Sequence, residues 1–161
     1  MDLTQVRVLA FATHGLVAGD IERLGEPALV LTPPAEGTAE DDGLLTASEV
    51  ATLRLDADWV VLSACNTAAP DGEPGAGGLS GLARAFFYAG ARALLVSHWP
   101  VVSQAAAALT TGTVRQLEAN PAIGRAEALR RAMLALAGDR ARPYSAHPLF
   151  WAPFTVVGEG R

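Results

Sequence analysis

Apolar positions in this chain cluster into short runs: VRVLAFAT (6–13), ALVLT (28–32), WVVLSA (59–64), ALLVS (93–97) and FTVVG (154–158). Three of them are nearly continuous, without the alternation of a strand wetted on one face, as expected of strands covered on both faces. Between the runs the pattern lengthens to a helical period. TASEVATLRL (46–55) opens on Thr46 with Glu49 three residues on, the spacing of a capping box. LSGLARAFFYAG (79–90) sets Leu79, Leu82, Phe86 and Ala89 along one face and stops at Gly90. SQAAAALTTGTVRQLEAN (103–120) and IGRAEALRRAMLALAG (123–138) predict two further helices, the second ending at Gly138 as a C-cap. Strands alternating with helices predict an α/β sandwich with a mostly parallel sheet. The Pro-, Gly- and acid-rich stretches 32–43 and 69–78 read as loops, and no fixed-period repeat is visible.

Composition narrows the class. With 161 residues, half of them hydrophobic and 18% charged, the chain is expected to form one domain with a real core. A net charge of −5, with no cluster of basic and aromatic residues, offers no footprint for nucleic acid. The N-terminus lacks a signal-peptide pattern, and no apolar run approaches the roughly 20 residues of a membrane span. The expectation is a cytoplasmic protein without nucleic-acid or membrane partners. A single cysteine makes no internal disulfide, and one Cys with three scattered His lacks the close ligand pairs of a zinc site. No metal or cofactor is expected.

Ligands of open α/β sheets sit beyond the carboxyl ends of the strands. His14, Cys65 and His98 each follow an apolar run and so fall at such ends. A cysteine there is commonly a small buried hydrophobe, and a histidine commonly packs or caps. A Cys and a His on neighbouring strand tips instead raise the thiolate fraction and make a nucleophile. Gly15 lets a backbone N–H face a substrate carbonyl without a side chain in the way. His98, beside Trp99 and Pro100, reads as structural, and His147 before Pro148 as a turn residue. The glycine-rich GEPGAGGLSG (72–81) fails the dinucleotide spacing, which from Gly75 and Gly77 requires a glycine where Ser80 stands. It reads as a loop beside the site. Asp41, Asp42, Asp56 and Asp58 show no acid–base pairing and read as surface charge.

His14-Gly15 precedes Ala64-Cys65 by 51 residues, close to the caspase spacing of about 50 between the histidine and the Ala-Cys pair. The stretches FATHG (11–15), DGLLTASEVATLRLDADWVVLSACNTA (42–68) and GGLSGLARAFFYAGARALLVSHWPV (77–101) are similar to CHAT domains. EALRRAM (127–133) and HPLFWAPFTVVG (147–158) extend the likeness over nearly the whole chain. The chain thus resembles the C-terminal portion of these caspase-like modules of bacteria, often fused to tetratricopeptide repeats and grouped with caspases, separases and gingipains.

The resemblance implies a caspase-like three-layer α/β/α sandwich and a cysteine peptidase acting on a protein or peptide. Its catalytic histidine falls on His14, its nucleophile on Cys65, and its oxyanion hole on the N–H groups of Gly15 and Cys65. Ser63, two residues before the nucleophile, and Trp99 would flank the substrate pocket, with Val102 and Ser103 where the family often has an acid. Such domains usually carry further strands ahead of the histidine strand. Residues 1–161 are therefore expected to be one domain within a larger domain or protein, with a bare sheet edge that suits a homodimer or a preceding repeat segment. The other reading is an interaction or scaffold module whose dyad is idle.

Overall fold

A computed structural model describes residues 3–22, 24–38, 41–63 and 81–160. The chain runs through β1 (Val8–Phe11), β2 (Gly15–Leu16), β3 (Ala28–Val30), β4 (Leu44–Thr46), α1 (Ala47–Thr52) and β5 (Trp59–Leu62). It continues with α2 (Gly81–Ala89), β6 (Ala93–Ser97), α3 (Ser103–Ala119), α4 (Gly124–Ala137), α5 (Pro148–Trp151) and β7 (Phe154–Gly158). The main sheet has the order β1-β5-β6-β7; β1, β5 and β6 are parallel, and β7 returns antiparallel to β6. The sheet is thus mostly parallel, as the apolar runs predict. The run at 28–32 behaves differently. Its strand, β3, joins β2 and β4 in a separate antiparallel sheet.

Side chains on a strand alternate between faces, and here both faces of the central strands are buried. Val60, Leu62, Leu94 and Val96 point into one core with Val50 of α1 and Leu82 and Phe86 of α2. Trp59, Val61, Ala93 and Leu95 point into the other, with Leu109 of α3 and Leu129 and Leu136 of α4. A sheet between two helical layers follows, and the absence of alternation in WVVL and ALLVS is its signature.

The helix boundaries have local causes. The Thr46 N–H donates to Glu49 Oε2 at 2.8 Å, and the Glu49 N–H donates back to Thr46 Oγ1 at 3.3 Å, so the capping box predicted from the spacing forms. Gly90 ends α2 at φ +113°, where a Cβ would overlap the Leu55 carbonyl. Close approach and positive φ together require glycine there.

At the amino ends of the strands, Arg7 donates to Asp58 at 2.7 and 2.8 Å, and Arg92 donates to Asp58 at 3.0 Å and pairs with Asp56. Asp56 and Asp58 are therefore members of an ion-pair network. That network lies at the end of the sheet opposite the one where His14 and Ser63 emerge.

Candidate active site at the carboxyl ends of the strands

His14 is positioned by the handover from one sheet to the other. After Phe11 the chain leaves β1 and enters β2 at Gly15. The Thr13 hydroxyl donates to the Val30 carbonyl, and the Val30 N–H donates to the His14 carbonyl at 2.9 Å. The His14 backbone is thereby pinned to β3, while the residue itself stays exposed. On the neighbouring strand, the Ser63 N–H donates to the Phe11 carbonyl at 3.0 Å, extending the β1–β5 ladder by one rung beyond the last residue of β5. Ser63 is half-buried.

The two residues share a cleft of about 470 Å³, well inside the roughly 300–1,000 Å³ typical of ligand sites. Ala10, His14 and Ser63 line it from the strand ends, Val101 from the segment after β6, and Ala106 and Thr110 from α3. Its lining among the described residues contains no Asp, Glu, Arg or Lys. A second groove of about 390 Å³ shares Ala10, Val61 and Thr110 with it and runs along β1, where Val8 and Val114 are exposed.

The other residues singled out from the sequence lie as follows. Trp99 stands outside the cleft lining; its indole N–H donates to the Leu149 carbonyl at 3.3 Å. Its near neighbours Val101 and Ser103 line the cleft instead. Val102 is the exposed N-cap of α3, without a side-chain cap bond. His98 is exposed, with its N–H on the Pro153 carbonyl and its ring 6.4 Å from that of Trp99. His147 caps α5, its Nδ1 accepting from the Leu149 N–H at 3.2 Å. Cys65 and most of the glycine-rich stretch 72–81 lie outside the described residues. Among the described residues no group of three His, Cys, Asp or Glu gathers as metal ligands would, and no helix is long and apolar enough to cross a membrane.

The α3 residues of the cleft escape sequence reasoning because alanine and threonine advertise no chemistry. The available signal was the run of small residues, AAAALTTG (105–112), on the helix that follows a strand's carboxyl end.

A mostly parallel sheet between two helical layers, with a histidine-bearing cleft at its carboxyl edge, defines a caspase-like α/β protein. The chain belongs to the CHAT domain family, whose model matches residues 1–159. Tetratricopeptide repeat protein 28 of Mus musculus is 31% identical over 194 aligned positions, covering 97% of this chain. The Homo sapiens protein of the same name is 28% identical over the same share. The chain spans about 7% of the length of these relatives. Both are mammalian, whereas the resemblance read from the sequence pointed to bacterial modules.

Proposed function

We propose that this chain is a caspase-like cysteine peptidase domain, with Cys65 as nucleophile and His14 as its proton partner, working as one domain of a longer protein. The observation that carries this reading is the strand register. β1 pairs with β5 at a constant interval of 51 residues, Val8 with Trp59 through Phe11 with Leu62. His14 and Cys65 are separated by the same interval. Equal sequence offsets beyond paired parallel strands support bringing the two to the same end of the sheet.

In this reading Cys65 thiolate attacks the substrate carbonyl carbon and forms a tetrahedral oxyanion. The oxyanion collapses to a thioester as the C–N bond breaks, and the imidazolium of His14 gives its proton to the departing amine. Water then adds to the thioester, with His14 taking its proton, and the acid leaves as the thiolate returns. The N–H groups of Gly15 and Cys65 steady the oxyanion in both steps. Antiparallel rungs alternate in direction. Because the His14 carbonyl accepts from Val30, Gly15, one residue on, turns its N–H away from β3. That orientation suits a donor facing substrate.

The second reading, an interaction module with an idle dyad, draws on the tetratricopeptide repeat name of the relatives and on the exposed Val8–Val114 groove. Hydrolysis of a peptide library by the full-length protein separates the two. The peptidase reading expects cleavage that falls by about 100-fold or more in Cys65→Ser and in His14→Ala. A wild-type protein that binds partners but cleaves nothing supports the idle module instead.

A further inference from the structure

We infer that the cleft beside His14 receives the substrate residue that precedes the cut, and that it takes an uncharged apolar side chain such as leucine, methionine or phenylalanine. The location of the cut rests on the peptidase reading above; the preference of the cleft does not.

Ser63 forms one wall, and Cys65 is two residues further along the chain, a span of at most about 7 Å. A substrate held at the nucleophile therefore has this wall within reach of its neighbouring side chain. The body of the cleft is apolar: Ala10, Phe11, Val61 and Phe154 come from the sheet, and Ala106 and Ala107 from α3. The polar side chains of the described lining are the His14 imidazole and the hydroxyls of Thr13, Ser63, Ser103, Thr110 and Thr111, of which those of Thr13, Thr110 and Thr111 already donate to backbone carbonyls. Among the described lining residues, which include no Asp, Glu, Arg or Lys, a carboxylate or guanidinium loses water and finds only His14 as a group able to carry charge, whereas an aliphatic or aromatic side chain gains from desolvation.

The feature that works against this is the amino end of α3. Ser103 begins the helix at the cleft, and helix N-termini attract anions. Val102 already blunts it, because its carbonyl accepts from the N–H groups of both Ala105 and Ala106, at 2.9 and 3.0 Å. An acidic preference is therefore the sharpest competing outcome.

The test uses the full-length protein with Cys65→Ala, so that binding is read without turnover. It is titrated by calorimetry with heptapeptides identical except for one central residue: leucine, phenylalanine, aspartate or arginine. The leucine and phenylalanine peptides should bind at least about tenfold more tightly than the charged ones. Ala107 is exposed, so Ala107→Trp should fold, as circular dichroism checks, and should remove that advantage by filling the cleft. Ala107→Glu should shift the preference toward the arginine peptide. Equal affinities, a preference for aspartate, or indifference to both Ala107 variants overturns the assignment. If the preference holds but the unmodified protein cleaves none of these peptides, the pocket stands and the peptidase reading falls. If the unmodified protein cleaves chiefly after charged residues, the reverse is true.

Discussion

Glu127 sits one turn before Arg130 and Arg131 on α4 and accepts hydrogen bonds from both, at 2.6 and 2.9 Å from Arg130 and 2.8 Å from Arg131. The hydrogen bonds from Arg130, then those from Arg131, lower its pKa from 4.5 to about 2. The folded chain favours the charged form, so the stabilisation is complete above pH 4.5 and is lost as pH falls through about 2. Glu127→Gln should lower the thermal midpoint slightly near neutrality, by an amount that added salt shrinks and that vanishes towards pH 2. A midpoint difference that persists unchanged at pH 2 contradicts this origin. His14 was legible at this scale because a polar residue directly after an apolar run marks a strand's carboxyl end, whereas Ser63, inside the run WVVLSA, came only from the family resemblance. Asp56 and Asp58 were not, because their partners Arg7 and Arg92 come from distant positions brought together by the parallel register.

Among the elements, α2 and its exit show how tightly a connection can be specified. Gly90 combines φ +113° with contact against the Leu55 carbonyl, and the Leu55 N–H donates to the Ala89 carbonyl at 2.8 Å. Gly90→Ala should cost about 1–3 kcal/mol for the backbone conformation alone, and more for the overlap with Leu55, read as a lowered urea midpoint. A change within about 0.5 kcal/mol, the range of a neutral surface substitution, would show that the turn relaxes freely. Two strands were readable to the residue: ALLVS is β6, buried throughout, and FTVVG is β7, the half-buried strand at the sheet edge. β1 was read too long, since the chain turns off after Phe11 to form β2. β2 and β4, of two and three residues, are too short for any periodicity to register. The run containing β3 declares a strand but not which sheet will claim it, because that choice is made by partners distant in sequence.

Across the whole molecule, the ion-pair network occupies one end of the sheet, and the cleft, whose described lining includes no Asp, Glu, Arg or Lys, lies at the other, where the proposed thiol would react. The described cleft lining includes no Arg or Lys, and in the proposed dyad His14 is the group that would stabilise the thiolate. The chain's single cysteine makes this directly measurable. The rate of iodoacetamide alkylation of Cys65 is followed at about pH 6 in the 161-residue chain, in its His14→Ala variant and in a free-cysteine peptide, whose thiol titrates at about 8.5. The account predicts faster alkylation in the protein than in the peptide, and a fall to the peptide's rate or below on His14→Ala. A protein that reacts no faster than the peptide, and no differently without His14, contradicts it.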